Sequence, residues 1–202
     1  MRLLFGPMDE SPSYRQEKRR QLRTAIIDAA RDLAVAQGWA AVKMADVADA
    51  VGVSRQTVYN EFRNKAGLAE ALTGREIGRF VDAVRAELLA HGGDVRAAGE
   101  AAILRTLTEA ADNPLVKTVL TGADGDDGLL PYLTTRSELV LTTASAVVRD
   151  WAAAHVPQAG EQTVAAAAES IVRLVLSHVV LPSAPAEQTA AVLADTLVRL
   201  LR

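Results

Sequence analysis

Residues 46–65, Asp-Val-Ala-Asp-Ala-Val-Gly-Val-Ser-Arg-Gln-Thr-Val-Tyr-Asn-Glu-Phe-Arg-Asn-Lys, are compatible with few folds. Val47, Ala48 and Val51 make a small apolar face at helical spacing, Gly52 supplies a tight turn, and Ser54 is a hydroxyl N-cap. The helix that follows carries Val58 and Phe62 inward at i and i+4. Two helices this short are marginal alone, so a third must cover them. It precedes them: Leu22, Ile26, Ala29, Ala30 and Leu33 share one face between residues 15 and 37, and Gly38 stands where a C-terminal cap belongs. The pattern is a three-helix unit containing a helix-turn-helix, which points to double-stranded DNA.

The surrounding residues carry a resemblance. Arg-Gln-Leu-Arg-Thr-Ala-Ile-Ile-Asp-Ala-Ala at 20–30, Gly38-Trp39, and Val-Tyr-Asn-Glu-Phe-Arg-Asn-Lys-Ala-Gly-Leu at 58–68 closely resemble the TetR family of bacterial transcription regulators. Beyond Leu72 only helical character and length agree. The resemblance implies an all-α fold, with a DNA-binding unit followed by a helical ligand-binding and dimerisation domain. It also implies a homodimer, a repressor role, and release by a small inducer. Family members commonly touch the DNA backbone through residues matching Tyr59 and Lys65. They usually begin the second helix with Thr or Ser, whereas this chain has Lys43. Lysine cannot cap with an acceptor oxygen, but its ammonium can reach a phosphate.

In a helix-turn-helix the N-terminal side chains of the second helix meet base edges in the major groove. Arg55, Gln56 and Thr57 are therefore the expected base readers, with Tyr59, Asn60 and Lys65 as phosphate anchors and Lys43 and Ser54 at the margin. The competing reading makes Arg55 and Gln56 ordinary solvated residues. Trp39 reads as a packing plug. Arg15, Lys18, Arg19, Arg20 and Arg23 form a basic entry to the first helix, either meeting a minor groove or phosphates or simply facing solvent. Charge is split along the chain. Residues 1–65 hold eleven Lys/Arg against eight Asp/Glu, and 66–202 hold eleven against seventeen, so the motif lies in the basic part of a chain of net charge -3.

The absence of cysteine excludes disulfides and thiolate metal sites, and His91, His155 and His178 have no zinc-ligand spacing. No cofactor is expected. The start lacks signal-peptide features, and the most apolar stretch, 171–181, contains Arg173 and His178 and is shorter than the roughly 20 residues of a membrane span. A cytoplasmic location and no membrane partner are the expectation.

Gly6, Pro7, Ser11, Pro12 and Ser13 mark residues 1–13 as a flexible arm, before a DNA-binding domain at 14–65 and a regulatory domain at 66–202. Helices are expected from 65 to about 89, 94 to 111, 114 to 120, 137 to 155, 162 to 181 and 186 to 201, with a short turn at 129–133. Asn64 is a plausible N-cap for the first of these. The 122–128 loop, with Asp124, Asp126 and Asp127, lacks the register of an EF-hand.

The C-terminal helices are rich in Ala, Val and Leu, which suits a core enclosing an apolar ligand pocket. Leu104, Leu107, Leu115, Val119, Leu129, Leu133, Leu141, Val148, Trp151 and Leu174 are candidate walls, most of them ordinary core residues. Arg105, Arg136, Arg173 and His178 sit among apolar neighbours and need partners. Arg136 or Arg173 could receive a ligand carboxylate, or pair with Glu169, Glu138 or Asp195. The effector is expected to be small and hydrophobic, such as a fatty acid or acyl derivative.

Val164, Ala167, Ala168, Ile171, Val175 and His178 form one stripe and Leu193, Leu197 and Leu200 another, read as a dimerising four-helix seam. A two-fold dimer would read a pseudo-palindromic operator. Gly74 and Gly78, inside the long helix, read as points of close helix approach or as a bend. Two other classes stay open: a constitutive DNA-binding regulator without an inducer, and a helical partner-binding module with a vestigial motif. An enzyme is not expected, since no nucleophile triad, metal cluster or phosphate loop is present.

Overall fold

The computed structural model describes residues 12–121 and 128–202. Among the described residues it is helical throughout: α1 (Pro12–Gln37), α2 (Met44–Val51), α3 (Arg55–Phe62), α4 (Lys65–Ala90), α5 (Val95–Asp112), α6 (Pro114–Thr121), a 3₁₀ turn (Leu130–Leu133), α7 (Glu138–His155), α8 (Glu161–Val180) and α9 (Ala186–Leu200). Gly38 and Gly52, read from the sequence as helix-ending residues, stand just after α1 and α2. Gly38 and Gly52 adopt positive φ of 80° and 73°, which L side chains rarely enter. Asp94 caps α5 through its carboxylate to the Ala97 amide at 2.9 Å, and Asn113 separates α5 from α6.

Two cores result. The first joins α1, α2 and α3 around Ile26, Val47, Val58 and Phe62, and takes in Leu68 and Leu72 from the start of α4. The second joins the rest of α4 to α5, α7, α8 and α9 around Val81, Ile103, Trp151, Ile171 and Leu193. Helix α4 therefore belongs to both. In the second core, Gly99 lets α5 approach α9 closely: a Cβ there would lie 3.0 Å from Leu197 Cδ2.

Several expectations need correction. Helix α1 begins at Pro12, so the flexible arm cannot extend to 13, and residues 1–11 lie outside the described residues, as do Asp124, Asp126 and Asp127. Leu115 and Leu129 are buried in the first core, with Val119 packed against it, because one side of α6 folds back onto α1 while the helix also touches α5. The seam assigned to dimerisation is largely used within the chain: Val164, Ala167, Ala168, Ile171, Leu193 and Leu197 are all buried here. Of the expected stripe Leu200 does face outward, and the other exposed apolar residues of α8 and α9 are Leu174 and Val192, with Leu181 just beyond α8. Helix α8 runs 20 residues, long and apolar enough to reach across a bilayer by composition, yet its inner face packs against α7 and α9.

The two helix glycines of α4 are not held by close packing. A Cβ on Gly74 would meet only Leu139 Cδ2 at an ordinary 3.8 Å, and one on Gly78 would meet nothing within 4 Å.

Candidate DNA-binding surface and ligand cavity

Helix α3 is positioned by its buried side and by its caps. Val58 is fully buried and Phe62 nearly so. Ser54 Oγ accepts the Thr57 amide at 3.1 Å and lies 2.9 Å from Thr57 Oγ1, so the N-terminus is closed by local hydroxyls. Arg55, Gln56, Tyr59 and Asn60 are exposed, and Thr57 is half-buried. Gln56 Nε2 donates to Asn60 Oδ1 at 2.8 Å, an exchangeable i,i+4 contact that base and phosphate groups can replace. The expected base readers and Tyr59 and Asn60 thus lie on one short helix whose opposite side is core.

Lys43 is exposed and makes no side-chain cap at α2, so its ammonium is placed at the start of that helix without a structural task there. Lys65 differs. Its Nζ donates to the Ala40 carbonyl at 2.9 Å and lies 5.4 Å from the centre of the Trp39 ring. The side chain therefore ties the start of α4 to the α1–α2 turn, a role the sequence reading did not assign. Trp39 is buried, as a packing plug should be.

The basic entry is also largely occupied. Glu61, on α3, has a nearly buried carboxylate that accepts from Arg19 Nε at 2.8 Å and from Arg23 at 3.1 Å, and Arg23 also donates to the Glu61 carbonyl at 2.7 Å. Burial alone would raise the Glu61 carboxyl, but hydrogen bonds from Arg19 and then Arg23 outweigh it and hold its pKa below the ordinary value. Arg23 also stacks over Phe62 at 4.5 Å. Arg20 pairs with Glu17 at 2.8 Å. Since Arg15, Lys18, Arg19 and Arg20 are part of a regular helix, they do not form an extended arm able to thread a minor groove.

The junction between α3 and α4 went unnoticed in the sequence. Arg63 has φ 64° and ψ -51°, and the Asn64 amide donates to the Phe62 carbonyl at 2.7 Å, which closes a strained γ-turn. Asn64 Oδ1 then caps α4 at the Gly67 amide, 2.8 Å away. Apart from an Asn cap, nothing in the residue types announces such a turn.

A buried polar node links this unit to the rest of the chain. Glu76 of α4 accepts from Arg31 Nε of α1 at 3.1 Å and from Asn113 Nδ2 at 3.0 Å. Asn113 Oδ1 accepts the Leu115 amide at 2.9 Å, capping α6. The Asp28–Arg75 pair adds a second tie between α1 and α4.

Between α4, α5, α7 and α8 lies a cavity of about 140 Å³. Phe80, Val84, Ile103, Val148, Val172 and Leu176 are among its walls, and Val116 of α6 and Leu133 close one side. An apolar cavity of roughly 150 Å³ stays dry and takes up small apolar molecules, so this one is large enough to matter. Of the proposed wall residues, Leu133 and Val148 line it, Leu107 lines a neighbouring cavity, and Trp151 is core. Leu104 and Leu141 pack against the core, while Leu174 is exposed. The proposed arginines line neither cavity. Arg136 is exposed, Arg105 pairs with Glu109, and Arg173 pairs with Glu169 at 2.7 Å. Asp195 is taken by Arg96 at 2.8 Å.

Comparison with known proteins agrees with this architecture. Residues 26–72 match the model of bacterial regulatory proteins of the tetR family, and residues 94–199 match that of the bacterial tetracyclin repressor C-terminal domain. The chain is 37% identical over 194 residues to the HTH-type transcriptional regulator AlkX of Mycobacterium tuberculosis (strain ATCC 25618 / H37Rv), covering 94% of this chain and 89% of that protein. The crystal structure of the TetR family repressor AlkX from Dietzia sp. strain DQ12-45-1b, implicated in biodegradation of n-alkanes, superposes with a TM-score of 0.72 at 28% identity. That match covers 88% of this chain and 98% of the other. The R. erythropolis repressor QsdR has the same fold, with a TM-score of 0.62 at 16% identity over 90% of this chain and 95% of its own.

Proposed function

The chain belongs to the TetR family of DNA-binding transcriptional regulators, and from that premise we propose that it is a homodimeric repressor released from its operator by a small hydrophobic effector. One observation carries the release step. Neighbouring residues of α6 face different parts of the molecule, Leu115 buried in the DNA-binding core and Val116 lining the apolar cavity. A molecule that fits the cavity only when α6 shifts would bind two conformations unequally, and that difference in affinity is what moves DNA binding.

The effector reading is supported by the wall chemistry and by the alkane-related role of the Dietzia repressor. Arg55, Gln56 and Thr57 read bases, while Tyr59, Asn60, Lys43 and Lys65 engage the backbone. Leu174, Leu181, Val192 and Leu200 supply apolar surface for the two-fold contact.

The test uses a fluorescent duplex carrying a site selected from genomic fragments. Anisotropy should report tight, salt-dependent binding that the double variant Arg55→Ala, Gln56→Ala renders indifferent to sequence. Adding decane-chain compounds should release the duplex. Unchanged DNA affinity with every such compound would favour a constitutive regulator, and absence of salt-dependent binding would remove the DNA-binding role.

A further inference from the structure

The apolar cavity adjoins a second one of about 220 Å³, and Ala110 and Val179 line both. Their chemistry differs. Thr106 is the sole polar side chain among the described residues of the inner wall, and its hydroxyl donates to the Ala102 carbonyl at 2.8 Å, so its proton is already used. A polar group placed there would lose its water without gaining a donor, which is costly. The outer cavity, by contrast, is lined by Lys117 of α6 and His178 of α8, with no carboxylate among its described wall residues.

Lys117 is exposed, and its ammonium enters no ion pair or hydrogen bond among the described residues. His178 is half-buried, with Nδ1 3.4 Å from Ser183 Oγ. When that hydroxyl donates to Nδ1, the ring proton resides on Nε2, leaving a second donor beside the lysine. Positive charge with no counter-charge among the described wall residues, at one end of two adjoining apolar cavities, matches a molecule with opposite polarity at one end only.

We infer that the effector is an amphiphile whose hydrocarbon tail occupies the inner cavity and whose terminal carboxylate is held by Lys117 and His178. The inference rests on the effector reading above and adds the head group and the residues that hold it. The location matters mechanically. Lys117 lies on α6 beside Val116 of the cavity wall and between Leu115 and Val119, which pack into the DNA-binding core. The head-group contact therefore bears on the helix shared by both parts.

Titration calorimetry on the full-length protein with decanoate, decanol and decyltrimethylammonium tests this. Wild type should bind decanoate about tenfold more tightly than decanol, the scale of a hydrogen bond to a charged group. Lys117→Gln should erase most of that preference while leaving decanol affinity unchanged, and Lys117→Glu should favour decyltrimethylammonium over decanoate. Arg173→Gln, at an exposed residue of α8 that lines neither cavity, should change neither affinity. Equal binding of decanoate and decanol by wild type, or undiminished decanoate binding by Lys117→Gln, overturns the head-group assignment alone. Failure of all three compounds to bind wild type overturns the effector reading with it.

Discussion

A Cβ on Gly67 would lie 2.2 Å from the Phe62 carbonyl oxygen, so α3 and α4 can meet as they do only if position 67 lacks a side chain. The same carbonyl accepts the Asn64 amide across the strained Arg63 turn. Helix α3 is thus joined to the long helix by a junction with no slack, and α4 continues from there into the second core. Gly67→Ala should lower stability by about 1–3 kcal/mol, the usual range for overpacking, and weaken DNA binding disproportionately. Denaturant unfolding and anisotropy on the same samples check it. A neutral Gly67→Ala would mean that the junction adapts.

Glu76 should be the costliest polar residue to remove. Glu76→Ala strands the partly buried Arg31 guanidinium and frees Asn113, at a cost of about 3 kcal/mol by analogy with broken buried pairs. Hydrogen exchange offers a local readout. The Leu115 and Val116 amides, near Asn113 Oδ1 at 2.9 and 3.4 Å, should lose protection before the rest of the core.

Acid should loosen the hold of α1 on α3. The Glu61 pKa is depressed in the folded chain, so its contribution is fully present above the unfolded carboxyl pKa, about 4.3, and is lost as pH falls below that value through the folded one. Glu61→Gln should reduce the slope of stability against pH in the acid range and leave the neutral-to-alkaline slope untouched. Thermal unfolding from pH 3 to 8 measures both arms; an unaltered acid slope would count against the Arg19–Glu61–Arg23 cluster as a source of stability.

Gly74 and Gly78 invite the opposite substitution. With room for a methyl group at each, Gly74→Ala and Gly78→Ala should each stabilise by up to about 1 kcal/mol through helix propensity. If α4 bends there to transmit the effector signal, the double variant will keep its DNA affinity and lose its response to effector. An intact response in a stabilised protein would remove the bend.

What could be read in the sequence was whatever depends on neighbours along the chain. Ser54 and Asn64 announced their helices because capping is local, and Gly52 because its positive φ is a demand of the turn itself. Val58 and Phe62 followed from helical spacing. Contacts between distant segments did not follow. Leu115 and Val119 look like any other apolar pair on an amphipathic helix, and only the return of α6 onto α1 assigns them to the DNA-binding core. Most of the dimer stripe turned inward for a related reason, Leu200 excepted: periodicity marks a buried face without saying which partner buries it. Arg173 and Arg136 attracted attention as charges among apolar residues, yet neither lines a cavity, while Lys117, on a short apolar helix, lines one.

The most direct test is to recover and sequence the genomic fragments that the purified protein retains, in parallel with the Arg55→Ala, Gln56→Ala double variant. The account predicts a pseudo-palindromic site with half-sites about one helical turn, roughly 34–36 Å, or a multiple of it apart, enriched by the wild type and lost by the variant. Retention without an enriched site, or the same site enriched by both proteins, would contradict it.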